Sequence, residues 1–276
     1  MVLQLAPEEP EAGPWHVELL STVIEAMTRQ GPGKAISGRP VVLAVDGRSN
    51  AGKTTLAARV CRVVPGSAVV HTDDIAWEHS RFGWADLLIE GILVPVHQGR
   101  AVSFRPPRWA QHGRVGHIKV PAGCPLLVVE GDGAGRREAA HLLDSLIWVQ
   151  SDEREAQRRS LARAEKPDAM DVANSPADGS PHAEAEWMAE EMPFNAAQRT
   201  WERADVIVCG TPELPCDPVT EIVVAPAPAP AGWRHRRHQY HIGRAVITDL
   251  NFGFPASTRF RGGPLSPLHS EEDVPV

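Results

Sequence analysis

Residues 39–60 read RPVVLAVDGRSNAGKTTLAARV. An apolar run meets a glycine-bounded loop, and a Lys-Thr-Thr then opens a helical pattern. From Gly47 to Thr54 the chain fits G-x-x-x-x-G-K-[ST] at every fixed position. Glycines let such a backbone curl until successive N–H groups point into one hollow. The helix that follows adds free N–H groups and the positive end of its dipole. The hollow reads as a phosphate cradle, with Lys53 reaching the β- and γ-phosphates and the Thr54 hydroxyl ligating Mg²⁺. The contacting set on this reading is Gly47, Ser49, Asn50, Ala51, Gly52, Lys53, Thr54 and Thr55. Arg48, Ser49 and Asn50 also read as plain loop lining, Thr55 as a packing or capping residue, and Asp46 as a turn former.

Working outward, five short apolar runs read as strands: 41–46, 68–72, 126–130, 146–150 and 205–209. They lack period-2 alternation, as strands covered on both faces do. Helical patterns fall between several of them, at 52–63, 85–96, 152–164 and 183–203. Strands alternating with helices predict an α/β fold with a parallel, doubly wound sheet. A further helix is expected at 15–29, with Leu20, Val23, Ile24 and Met27 on one face. The segment EKPDAMDVANSPADGSP (165–181) reads as a mobile loop, and APAPAPAG (225–232) as a stiff linker. The expected division is an N-terminal segment with one packed helix (1–37, its first 14 residues disordered), a main domain (38–224), and a linker with a disordered tail (225–276).

Composition narrows the classes. A chain of 276 residues, 42% hydrophobic, can bury one sizeable core. A formal charge of −7 argues against a general nucleic-acid binder, while leaving room for a local anion pocket. Cys61, Cys124, Cys209 and Cys216 form no C-x-x-C pair, so neither a zinc site nor a disulfide framework is expected. Cys61 and Cys209 read as core thiols. The acidic N-terminus lacks a signal-peptide pattern, and no apolar run is long enough to cross a bilayer. The expectation is a soluble cytoplasmic protein with no membrane or nucleic-acid partner.

In open parallel sheets ligands sit at the carboxyl ends of strands. Here three such ends carry acids: Asp46, the Asp73-Asp74 pair, and Glu130. Carboxylates beside a polyphosphate make sense when Mg²⁺ lies between them, or when one accepts a proton from an attacking hydroxyl. Asp73 is the candidate general base. Asp74 is its rival, or orients the metal, or caps the next helix. Glu130 is a candidate for holding Mg²⁺ through water. The helix 152–164 holds Arg154, Arg158, Arg159 and Arg163, paired at i, i+4. Arginines on a closing lid can neutralise charge on a transferred phosphoryl group. They read equally as a solvated face laced with Glu153 and Glu155.

The stretches GRSNAGKTT (47–55), HTDDI (71–75), VVEG (128–131), REAQRRSLAR (154–163) and RTWERADVIVCGTP (199–212) resemble the uridine kinase and nicotinamide riboside kinase group of P-loop kinases. The resemblance covers roughly 38–212. It implies a P-loop NTPase three-layer sandwich with a five-stranded parallel sheet of order 2-3-1-4-5 and a helical lid. It implies ATP and Mg²⁺ as cofactors, Asp73 as the proton-accepting aspartate, and Arg158 and Arg163 as the lid residues. The set it yields is catalytic Asp73, Lys53, Arg158 and Arg163, with Thr54, Glu130 and Asp74 toward the metal. The chain departs from the family pattern at Ile75-Ala76, at Ala164, and at Arg108-Trp109 in FRPPRW, where the family's aspartate is lacking.

Between the second and third strands, Trp77, Phe82, Trp84, Arg105, Arg108 and Trp109 are acceptor-side candidates: rings can stack a base, and an arginine can bind an anion. Core packing or surface ion pairs explain them as well. The leading expectation is an ATP-dependent kinase acting on a small-molecule hydroxyl, a nucleoside first. The alternative is an ATP-hydrolysing or ATP-binding protein without an acceptor. No [N/T]-K-x-D motif for reading guanine is present. The basic run RHRRH (234–238) reads as solvated tail, and His235, His238 and His241 lack companion metal ligands.

Overall fold

The computed structural model describes residues 3–5, 7–29, 38–165, 181–227, 239–242 and 245–248. The chain opens with β1 (His16–Leu19), α1 (Leu20–Arg29), β2 (Val41–Gly47), α2 (Lys53–Val63), β3 (Ala68–His71) and α3 (Thr72–Ala76). A helical stretch follows: α4 (Ala85–Leu88), a π turn (Ile89–Leu93) and α5 (Val94–His97). Pro95 has no N–H to continue the regular ladder, which accounts for the wider turn before it. Next come β4 (Val102–Phe104), α6 (Pro107–Gln111), β5 (Ile118–Val120), β6 (Leu126–Glu130) and β7 (Ser145–Gln150). The last described elements are α7 (Glu153–Glu165), α8 (Pro181–Gln198), β8 (Val206–Cys209), β9 (Glu221–Pro226), β10 (Gln239–Ile242) and β11 (Ala245–Thr248).

The main sheet has seven strands in the order β1-β9-β8-β7-β2-β6-β3 and is mixed. This corrects the expected five-stranded, wholly parallel sheet. The five expected strands are parallel and adjacent, in the succession 68–71, 126–130, 41–47, 145–150, 206–209. Beyond them β9 runs antiparallel to β8, and β1 antiparallel to β9. A five-stranded sheet would leave the outer edge of β8 with unpaired backbone groups; β9 covers that edge. The sequence reading missed β1 because it absorbed 16–19 into one helix, and missed β9 because the linker reading began inside it.

Side chains on the central strands alternate between two layers. Leu43, Val45, Ile147, Val149 and Val208 pack with Leu20, Val23, Ile24 and Met27 of α1 and Leu56, Ala57 and Val60 of α2. Val42, Ala44, Leu127, Val129 and Trp148 pack with Trp84, Leu88, Ile92 and Trp201 on the other side. Each fully buried aliphatic side chain contributes about 1.5–3 kcal/mol relative to exposure. This two-sided burial makes the strands continuous apolar runs and holds their carboxyl ends in register.

Three further expectations are corrected. The described part of residues 3–14 is anchored: Ala12 N–H donates to Gln150 Oε1 at 2.9 Å, and the Trp148 and Gln150 side chains donate to Glu9 at 2.6 and 2.9 Å. Residues 239–248, expected to be patternless tail, include the antiparallel pair β10–β11. Cys124, not Cys61 or Cys209, is the buried thiol. The loop over 165–181, most of the linker, and His235 and His238 lie outside the described residues, as does the side chain of His241. Among the described residues no helix is long and apolar enough to cross a membrane.

Asp205 closes β7 onto β8, accepting the Leu146 N–H at 2.8 Å. Burial raises its pKa to about 7. A carboxyl raised this way is protonated more readily in the fold than in the open chain, so stability falls as pH climbs from about 4 to about 7. Asp205→Asn removes that titration. Its unfolding free energy relative to the parent is expected to rise between pH 4 and pH 8 by on the order of 1–3 kcal/mol, read as a rising Tm difference. A constant Tm difference across that range overturns the assignment.

Candidate functional site

The loop between β2 and α2 is built by backbone geometry. A Cβ on Gly47 would fall 2.5 Å from the Val149 carbonyl oxygen of the neighbouring parallel strand β7, so this position admits only glycine. Asn50 (φ 59°) and Gly52 (φ 100°) then turn the chain through the left-handed region, and Gly52 caps α2. Ala51 is fully buried, and Thr54 and Thr55 are exposed on the first turn of α2. Asp46 is buried just before the loop. Its carboxylate accepts the N–H groups of Gly47 (2.8 Å), Gly133 (2.9 Å) and Gly135 (2.9 Å). It is an organiser that ties the phosphate-type loop to the loop after β6. Burial raises its pKa to about 6 against the pull of those hydrogen bonds.

Lys53 is buried, and its ammonium donates to the Arg48 carbonyl (2.7 Å) and to Asp132 (2.5 Å). Burial disfavours the charge, but Asp132, then Glu191 and Glu130, outweigh it and raise the lysine pKa. The other Asp132 oxygen accepts the Ser49 hydroxyl at 2.6 Å. The Thr54 hydroxyl lies 3.2 and 3.3 Å from the two Glu130 oxygens. His71, at the end of β3, makes a short Nδ1 hydrogen bond to Glu130, and that bond raises its pKa against burial.

Asp73 lies on α3, directly after β3, and is solvent-accessible. Desolvation by the surrounding protein, then the charge of Asp132, push its pKa up to about 6, with Lys53 pulling the other way. Screening at its open edge tempers that shift. Asp74 is placed differently: it pairs with Arg114 at 2.5 Å rather than with the Thr54–Glu130 pair.

Of the two expected lid arginines, Arg158 does not reach the loop. Arg158 is largely exposed and pairs with Glu155 at 2.6 Å. Arg159 reaches the loop instead, donating to the Asn50 carbonyl (3.3 Å) and the Gly210 carbonyl (3.0 Å). One face of α7 points at the site, and Arg159 is on it. The side chain of Arg163 lies outside the described residues.

The aromatic candidates are engaged within the protein. Trp84 and Trp109 are buried. The Arg114 guanidinium stacks on Trp109 (3.9 Å) and Trp77 (5.3 Å), and Phe82 stacks on Phe194 of α8 (4.0 Å). Arg105 and Arg108 are exposed, and Arg105 donates to the Arg114 carbonyl.

Sequence reading missed Asp132, Glu191 and His71, and it named Arg159 without singling it out from the other α7 arginines. Asp132 had a signal, a carboxylate in the glycine-rich turn EGDGAG after a strand. Glu191 had none, because nothing local to α8 says that it meets a loop more than a hundred residues away. Its carboxylate accepts the Ser49 N–H at 2.5 Å. An anion therefore already rests on a loop N–H group, which fits a hollow built for phosphate. Among the described residues no cluster of three or more His, Cys, Asp or Glu forms a metal cage. Thr54 and Glu130 suit Mg²⁺, which takes a few protein oxygens and completes its shell with water and phosphate.

No family model matches the chain, and no curated protein matches its sequence. Among solved structures, the chain is similar to a possible uridine kinase from Bacillus stearothermophilus, at 18% identity over 68% of this chain and 96% of that one, with a TM-score of 0.39. It is also similar to a proposed fructose transport system kinase from Silicibacter sp. TM1040, at 14% identity over 65% of this chain and 93% of that one, with a TM-score of 0.41.

Proposed function

We propose that this chain transfers the γ-phosphoryl group of ATP to a hydroxyl of a small molecule. The observation that carries the reading is convergence: Lys53 and Thr54 at the start of α2 meet Asp132 and Glu130 from the end of β6, and Asp73 follows the neighbouring strand β3. On this reading the loop N–H groups and Lys53 hold the phosphates, and Thr54 and Glu130 hold Mg²⁺. A metal held there would offset the charge of the phosphates during transfer. Asp73 accepts the proton of the attacking hydroxyl as the new O–P bond forms and the bond to the β-phosphate oxygen breaks; ADP leaves. Arg159 is the α7 residue poised at the loop, in the role expected of Arg158 and Arg163.

A base must be ionised to work. With the Asp73 pKa pushed up toward about 6 and tempered by solvent, the acid limb of kcat/KM is expected above pH 4 and no higher than about pH 6, with a flat profile above about pH 7. An acid limb at pH 4 would mean that a carboxyl of ordinary acidity limits the rate.

Nucleosides remain the first acceptors to try. The engaged rings of Trp77, Trp84 and Trp109 favour a second reading, ATP hydrolysis without an acceptor, enough to test it directly. The experiment measures ADP release from Mg-ATP with and without nucleosides, ribosides, sugars and small alcohols, in the parent, Lys53→Ala and Asp73→Asn. Stimulation by one acceptor, lost in both variants, supports the kinase. Equal ADP release without any acceptor overturns it in favour of an ATPase. Lys53→Ala alone is expected to lower turnover by roughly a hundredfold or more, since it removes the buried cation aimed at the transferring group.

A further inference from the structure

Glu191 is one of the most buried acids of the chain, about 2% exposed, although it sits on α8. It occupies a specific place: its carboxylate takes the Ser49 N–H at 2.5 Å. Ser49 is the middle of the loop, and its hydroxyl is held by Asp132, which also holds Lys53. Cationic Lys53 and Arg48 act on the Glu191 carboxylate there, while burial and Asp132 raise its pKa to about 7. Arg48 is itself buried, with its Nη1 lacking a hydrogen-bond partner among the described residues. The spot is desolvated, lies between Lys53, Arg48 and Asp132, and is filled by a side-chain carboxyl on the Ser49 N–H.

The helix that delivers Glu191 is pinned. Phe194 stacks on Phe82 at 4.0 Å, and Arg81 bonds the Glu186 carbonyl (2.8 Å) and the Glu190 carboxylate (2.7 Å). These contacts tie α8 to the segment between α3 and α4. A phosphate oxygen entering the loop needs the N–H that Glu191 now holds. Two anions cannot share one donor, and a carboxylate beside a polyphosphate repels it.

We propose that Glu191 is a built-in gate on the phosphate loop: α8 seats its carboxylate on Ser49 N–H, and nucleotide binds only when that carboxylate swings away. The inference rests on the loop being a nucleotide-phosphate site. It goes further by making α8 an autoinhibitory element whose displacement precedes binding. A ligand's apparent affinity falls by the fraction of molecules that are open to it. A gate seated about nine-tenths of the time weakens nucleotide binding by roughly tenfold.

The test is calorimetric binding of Mg-ADP and Mg-ATP to the full chain. The panel is the parent, Glu191→Gln, which keeps the shape without the charge, and Glu191→Ala, which removes the plug. Thermal melts of each without nucleotide confirm folding. Both variants are expected to bind about tenfold more tightly than the parent. Equal or weaker binding in the folded variants, beside measurable binding to the parent, overturns the gate and leaves the nucleotide site standing. Binding to none of the three overturns the nucleotide reading itself, and the gate with it. As a second readout, Phe194→Ala loosens α8 without touching the loop. It is expected to tighten binding in the parent but not in Glu191→Ala, and an equal effect in both backgrounds also overturns the gate.

Discussion

Asp73→Asn is expected to lower acceptor-dependent turnover by about 10³-fold, within the 10²–10⁴ that positioned acid–base groups contribute. The amide keeps the volume and some hydrogen bonding but cannot take the hydroxyl proton. Among the described residues Asp73 makes no hydrogen bond to the loop, so the Mg-ATP dissociation constant should stay within about threefold. Asp74→Asn is the natural control. Its carboxylate is tied to Arg114 on the far side of the Asp-Asp pair, so its loss should cost packing and ion pairing rather than catalysis. Steady-state kinetics with direct binding on both variants decides the matter. If Asp74→Asn abolishes turnover and Asp73→Asn does not, the base has been assigned to the wrong aspartate.

Asp46→Ala should be the most damaging single substitution for stability around the site. It strands three backbone N–H groups, those of Gly47, Gly133 and Gly135, that have been taken out of water. Each orphaned buried donor costs about 1–3 kcal/mol. The raised pKa of Asp46 shows that its own charge is uncomfortable there, which offsets part of the total. A net loss on the order of 3–5 kcal/mol remains, a large share of the 5–15 kcal/mol typical of a domain. The damage would be local first: the loop after β6 carries Asp132, so Lys53 would lose its partner as the loop loosens. Denaturant unfolding reads the effect directly. A loss below about 1 kcal/mol would mean that water or another group replaces the carboxylate, and that the two loops do not depend on it.

These two aspartates differ in how far sequence could read them. Asp73 was legible because strand ends in a parallel sheet collect ligand-binding groups, and the strand before it is a plain apolar run. For Asp46 the sequence leaves a turn former and a functional acid equally open, since its other two partners lie more than eighty residues away. The same limit explains the lid. Spacing along α7 puts four arginines on a helix but does not say which face meets the loop, and Arg159, not Arg158, is on that face. It explains the acceptor side as well. The sequence leaves Trp77 and Trp109 open between stacking an acceptor and core packing, and the structure lays Arg114 across both.

The sequence alone determined what local chemistry can encode: the cradle between β2 and α2, the apolar strands, the helices between them, and the acids that end three strands. Glycine geometry, a helix start and two-sided burial are written within a dozen residues each. Tertiary structure decided the rest. It added β1 and β9 to the sheet, since edge pairing depends on which backbone arrives there. It chose Asp132 as the partner of Lys53, and it brought Glu191 onto Ser49. Those contacts join residues 79 and 142 positions apart, and charge pairing over such separations is set by how the layers pack, not by any pattern along the chain.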